Sequence, residues 1–248
     1  MRSSAIVVPC YNEEKRLAGE HFVRFATENP GVFFFFVDDG STDGTALVLE
    51  SLTQANACID FIRLPTNQGK AEAVRQGILH MVETDATYIG YWDADLATPL
   101  ATIKQMVALM DDRVQTFAVF GSRVRLLGRA IERRTLRHYL GRIFATFASW
   151  VLGLAVYDTQ CGAKLFRNSS HLKQLFAMPF LSKWIFDVEI IARLKRQRQA
   201  LDLSPVEECL CEYPLSAWSD IDGSKMKKGD FFRVVLDLYR IGRCLNRT

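Results

Sequence analysis

The first half of the chain alternates short apolar runs with longer stretches of helical character, and this alternation restricts the fold more than any other feature. Ala5 to Val8, Val32 to Val37, Ile59 to Leu64, Thr87 to Trp92 and Thr116 to Phe120 read as short buried strands. Helices are expected between them, near Lys15 to Glu28, Thr45 to Ala55, Lys70 to Glu83 and Leu100 to Met110. Apolar strands joined by helices imply an α/β fold with a mostly parallel sheet covered by helices on both faces. Such sheets bind ligands in the crevice at the carboxyl ends of their strands, and the polar motifs of this chain fall in those places.

The 248 residues, 49% hydrophobic and 24% charged, are enough for one globular α/β core and exclude disordered and fibrous classes. A net charge of +3 gives no bulk argument for nucleic acid, and no nucleic-acid motif accompanies the arginines. The six cysteines lack a C-x-x-C pair or zinc-site spacing, and read as reduced, mostly buried thiols. The first apolar run stops at Pro9, too short for a secretory signal, so the expected location is cytoplasmic. No stretch reaches the ~20 apolar residues needed to cross a bilayer.

After Gly121 the alternation gives way to a basic region expected to be helical: Arg123, Arg125, Arg129, Arg133, Arg134, Arg137 and Arg142 stand against a lone Glu132. It leads into the apolar Ile143 to Tyr157, the length of a core helix or of a segment lying in a membrane interface. A helix near Ile185 to Gln199 ends in Arg193, Lys195, Arg196 and Arg198, read as a solvated, dipole-matched terminus. The expected organisation is a domain over residues 1–225, including the segment 123–157, followed by a basic amphipathic extension over 226–248.

Four strand ends carry chemistry. Asp93-Ala94-Asp95 projects two carboxylates of the kind that hold a divalent ion against a diphosphate, although a lone Asp-x-Asp also caps turns. Pro9-Cys10-Tyr11-Asn12-Glu13 offers a ring to stack on a base and a carboxylate to accept its hydrogen bonds. Asp38-Asp39-Gly40-Ser41-Thr42-Asp43-Gly44 pairs two carboxylates suited to ribose hydroxyls with a helix cap. Asn67-Gln68-Gly69-Lys70 adds a glycine turn and a cation. Neither a Walker loop nor G-x-G-x-x-G is present, which removes the main support for ATPase and dinucleotide dehydrogenase readings.

These four motifs, in this order on successive strand ends, resemble the family-two inverting nucleotide-sugar glycosyltransferases of GT-A fold. Gly121-Ser122-Arg123 extends the likeness to dolichyl-phosphate sugar synthases. Asp158 to Phe166, Trp184 to Glu189, and Trp218 with Gly223-Ser224-Lys225 are most similar to the dolichyl-phosphate β-glucosyltransferase branch. The resemblance implies that Pro9, Tyr11, Glu13, Asp38 and Asp39 contact the nucleoside, with Gly69 and Lys70 in the same donor site. It implies that Asp93 and Asp95 hold Mg²⁺ or Mn²⁺, and that Arg123, Arg133 or Arg134, and Lys225 bind phosphates.

The implied reaction transfers a hexose, glucose from UDP-glucose, to polyprenyl or dolichyl phosphate at the cytoplasmic membrane face. The alternatives are a GDP-mannose-dependent mannosyltransferase, transfer to a non-lipid acceptor, and a catalytically silent module in a membrane complex. Some relatives carry an acidic residue in the segment matching Gln160 to Gly162; this chain has none there, so no protein base is expected at that point. The chain ends at Thr248 without the transmembrane pair many relatives carry, which implies peripheral attachment or a membrane-protein partner.

Overall fold

The computed structural model describes residues 3–132, 135–220 and 230–245. The expected alternation opens the fold: β1 (Ser4–Cys10), α1 (Gly19–Glu28), β2 (Val32–Asp38), α2 (Thr45–Ala55), β3 (Ile59–Arg63), α3 (Lys70–Met81), β4 (Tyr88–Trp92), α4 (Ala101–Asp112) and β5 (Ala118–Ser122). It continues through β6 (Ala130–Glu132), α5 (Thr135–Leu152), β7 (Ala163–Arg167), α6 (Ser170–Ala177), α7 (Phe186–Ala200), α8 (Val206–Cys209), β8 (Leu210–Pro214), β9 (Ala217–Ser219) and α9 (Asp230–Leu245).

Seven strands form one sheet in the order β3-β2-β1-β4-β7-β5-β8, and β6 with β9 forms a two-stranded clip. Every pairing in the large sheet is parallel except those of β7, which runs antiparallel to both β4 and β5. The chain winds outward from β1 to β2 and β3, then crosses back to β4. The resulting switch point opens a crevice at the carboxyl ends of β1 and β4.

Side chains alternate across the strands and divide the core in two. Val7, Phe35, Val37, Ile89 and Tyr91 pack beneath α3, α5, α6, α7 and α9. Ile6, Val8, Phe34, Phe36, Tyr88 and Trp92 face α1, α2 and α4, with Phe22 set edge-on to Phe34 and Phe36.

The second half departs from its sequence pattern in three places. The basic stretch after Ser122 is a loop leading to β6, with Gly128 at φ +80°, before helix α5 begins. The basic end of α7 is not simply solvated: Arg193 donates to the carbonyls of Leu175, Met178 and Pro179, and Lys195 to that of Leu152. The apolar run from Ile143 is helical only as far as Leu152, with Ala145, Ala148 and Leu152 buried and Ile143, Phe147 and Trp150 exposed. The expected boundary at residue 225 lies outside the described residues. Val234, Leu238 and Ile241 of α9 join the same core as α5 and α7.

Candidate active site

The loops leaving β1 and β2 are stitched together by backbone donors and short polar side chains. Asn12 N–H donates to Ser41 Oγ (2.9 Å), Thr42 N–H to Asn12 Oδ1 (2.9 Å) and Glu13 N–H to Thr45 Oγ1 (2.8 Å). Asn12 adopts φ +52°, a left-handed turn that Asn tolerates better than most residues. Pro9 and Tyr11 are half-buried beside this seam, and Glu13 is buried with Arg16 Nε 3.5 Å from its carboxylate.

Asp38 and Asp39 are buried but differently engaged. Asp38 Oδ1 accepts from Ser41 N–H; Oδ2 lies 3.2 Å from Arg63 Nε and has no hydrogen-bond partner among the described residues. The two Asp39 oxygens accept from Gln68 N–H and Gly69 N–H, each at 2.8 Å. Burial raises the Asp39 carboxyl above its usual range despite those bonds and the Lys183 ammonium, which act the other way. Gly69, at φ +99°, turns the chain so that Asp39 clamps the start of α3. A cavity of about 300 Å³ lined by Asn67, Gln68, Glu72, Phe180 and Lys183 adjoins this clamp.

The loop after β4 is closed by Trp92 Nε1–H donating to Thr98 O and by Asp95 Oδ1 accepting from Ala97 N–H. Leu96 is held at φ +56°, strain of a kind that collects at functional sites. Asp93 pairs with Lys70 at 2.5 Å, and both side chains remain about one-third exposed, at 35% and 37%. Burial alone would lower the Lys70 ammonium, but Asp93, Asp187 and Asp95 hold it above its ordinary value. Burial, followed by the Asp93 charge, raises the Asp95 carboxyl. Asp93, Asp95 and Lys70 therefore share one site at the switch point.

A strap from residue 158 to 162 backs this site. Asp93 N–H donates to Gly162 O, and a Cβ on Gly162 would stand 1.9 Å from Asp93 Oδ2, so only glycine lets the strap lie against that carboxylate. The strap is anchored by Arg123, whose Nε and Nη2 meet the two Asp158 oxygens at 2.6 and 2.8 Å. Arg123 also lies over Trp218, 5.2 Å from the ring centre. Burial pushes the Cys161 thiol up to about 11, which leaves it protonated near neutral pH and unsuited to act as base or nucleophile. Arg133, Arg134 and Lys225 lie outside the described residues.

Sequence reasoning missed the buried ion pair behind the strap. Lys164 Nζ reaches Asp187 at 2.6 Å and Cys161 O at 2.6 Å, and Tyr91 OH donates to the same Asp187 oxygen. A lysine beside the apolar Leu165 and Phe166 was the available signal, and its partner sits 23 residues away in α7.

Residues 5–174 match the glycosyl transferase family 2 profile. The chain belongs to that family. It is 30% identical over 254 residues to dolichyl-phosphate beta-glucosyltransferase ALG5C of Trichomonas vaginalis, covering 96% of this chain and 70% of the relative. It is 30% identical over 244 residues to the dolichyl-phosphate beta-glucosyltransferase of Saccharomyces cerevisiae, covering 90% of this chain and 68% of the relative. Among solved structures, glucosyl-3-phosphoglycerate synthase from Mycobacterium tuberculosis, in complex with Mn²⁺, UDP and glucosyl-3-phosphoglycerate, superposes with a TM-score of 0.69 at 17% identity. That alignment covers 98% of this chain and 80% of the synthase, and it confirms the GT-A fold expected of this family-two glycosyltransferase.

Proposed function

We propose that this glycosyltransferase moves glucose from UDP-glucose to a polyprenyl or dolichyl phosphate at the cytoplasmic face of a membrane. The observation that carries the reading is the grouping of Asp93, Asp95 and Lys70 at the switch point, in a chain whose relatives are named dolichyl-phosphate beta-glucosyltransferases.

The residues fit a divalent cation. Asp93 and Asp95 stand one residue apart after β4 with Lys70 2.5 Å from Asp93, while Lys164 is turned away to Asp187. The glycine at 162 keeps the Asp93 carboxylate clear of the strap. Asp93 and Asp95 would hold Mg²⁺ or Mn²⁺, which supplies charge neutralisation for the departing nucleoside diphosphate. Asp38, at the carboxyl end of β2, is the carboxylate assigned to a ribose hydroxyl, and Tyr11, just after β1, presents a ring to the base. Lys70 is placed to exchange part of its contact with Asp93 for a donor phosphate oxygen.

The acceptor brings its own nucleophile. A phosphate monoester is ionised near neutral pH, so its oxygen forms the new bond to the anomeric carbon as the bond to the diphosphate breaks, with no proton to remove. Inversion follows from attack on the opposite face. The protonated Cys161, standing in the segment where some relatives carry an acid, is compatible with this chemistry.

Membrane attachment is supported by α5. Tyr139, Leu140, Ile143, Phe147 and Trp150 are exposed, Trp150 at 81%, and the chain holds no acidic residue between Glu132 and Asp158. An apolar stripe of that kind lies in an interface, with arginines at the headgroups. Among the described residues no helix is long and apolar enough to cross a membrane.

Calorimetric titration tests donor use: UDP-glucose and GDP-mannose are added separately, with and without Mn²⁺, to the protein and to Asp95→Asn. Binding of UDP-glucose that Mn²⁺ tightens, and that Asp95→Asn loses, is the expected result. Preference for GDP-mannose would move the reading to mannosyl transfer, and metal-independent binding would contradict the assigned roles of Asp93 and Asp95.

A further inference from the structure

Lys164 is anomalous for its position. It lies in β7, between two neighbouring strands, with a fully buried side chain flanked by the rings of Tyr91 and Phe120 at 5.2 and 4.8 Å. Burying an ammonium is costly, and a well-packed apolar residue in place of a buried ion pair is often neutral or stabilising. Stability alone therefore gives a weak reason for the pair with Asp187. Its contacts give a stronger one. The ammonium holds the Cys161 carbonyl, and the next carbonyl along (Gly162) holds the Asp93 backbone N–H. The buried pair thus reaches Asp93 through the strap, whose Gly162 also lies against the Asp93 carboxylate.

We propose that Lys164 and Asp187 form a positioning pair that fixes the Asp93 carboxylate for cation and diphosphate binding. Tyr91 and the first turn of α7, whose N–H groups favour an anion, hold Asp187 in place. This inference rests on the proposed roles of Asp93 and Asp95. Groups that orient metal ligands from behind typically change metal affinity 10- to 100-fold when removed.

The test separates positioning from simple charge compensation by removing both charges together in Lys164→Met/Asp187→Leu. Mn²⁺ binding is read by electron paramagnetic resonance in the presence of UDP, and UDP binding in EDTA by calorimetry. The expected result is a thermal midpoint and metal-free UDP affinity close to those of the parent protein, with Mn²⁺ affinity weakened about 10- to 100-fold. Unchanged Mn²⁺ affinity in the double variant, alongside a loss in Asp95→Asn, would overturn the positioning role while leaving the metal site intact. Unchanged affinity in Asp95→Asn would overturn both. Should the double variant not fold, Tyr91→Phe carries the test, because it keeps both charges and strips one hydrogen bond from Asp187. A loss of about two- to tenfold in Mn²⁺ affinity is expected from it, and none would overturn the proposal.

Discussion

At the scale of single residues, Gly162 and Glu72 make opposite kinds of demand. Gly162 matters through what it lacks: a methyl group there would meet Asp93 Oδ2 at 1.9 Å, and the nearby strap leaves the carboxylate to move rather than the backbone. Gly162→Ala should therefore cut transferase activity about 10- to 100-fold, with little change in thermal midpoint, measured by initial rates at saturating donor and by a melting curve. Glu72 matters through its charge. Burial by itself would raise its carboxyl, but bonds from Arg75 and Gln76, with the Arg75 charge, hold it below its ordinary 4.5. A carboxyl lowered on folding adds stability that is fully present above pH 4.5 and is lost as pH falls through the folded value. The stability advantage of the parent over Glu72→Gln, read as a difference in urea midpoint, should accordingly be largest at neutral pH and shrink below pH 4.5.

At the scale of elements, the parts legible in the sequence are those whose local pattern agrees with their environment. β1, β2 and β4 are apolar runs buried by helices on both sides, and periodicity finds them together with the loops that follow; β3, at the sheet edge, is found the same way although only Ile59 in it is buried. β7 escapes because Lys164 interrupts its apolar run and only a partner in α7 makes that burial tolerable. β8 escapes because Glu212, whose two oxygens accept from Tyr157 and Asp158 N–H, reads as a polar loop residue. Arg123 was legible as a cation near the site; its engagement with Asp158 depends on a contact 35 residues away. Helix α9 shows the reverse situation, a basic amphipathic segment whose apolar face is claimed by the core. Val234, Leu238 and Ile241 lie on one stripe against α5 and α7, and Gly242 brings α9 close to Val151. Ile241→Ala should cost about 2–5 kcal/mol in urea unfolding, as for a core methyl cluster, where an independent tail would show no change.

At the scale of the whole molecule, the donor crevice and the exposed face of α5 belong to one folded body, and the bulk charge of +3 does little to direct it to a surface. Attachment is instead expected from the apolar stripe and its neighbouring arginines. Phe147→Ser/Trp150→Ser, altering two side chains exposed at 56% and 81%, should weaken sedimentation with anionic phospholipid vesicles several-fold and leave the thermal midpoint unchanged. Equal vesicle binding by both proteins would remove α5 from the attachment surface. The central claim, glucosyl transfer to a lipid phosphate, is tested most directly by mass spectrometry of extracted lipid after incubating the protein with Mn²⁺, polyprenyl phosphate in detergent and UDP-glucose. The account predicts a hexosyl-phosphate lipid that is absent with Asp95→Asn and absent when GDP-mannose replaces UDP-glucose; a lipid product formed equally well by Asp95→Asn, or none from UDP-glucose at all, would contradict it.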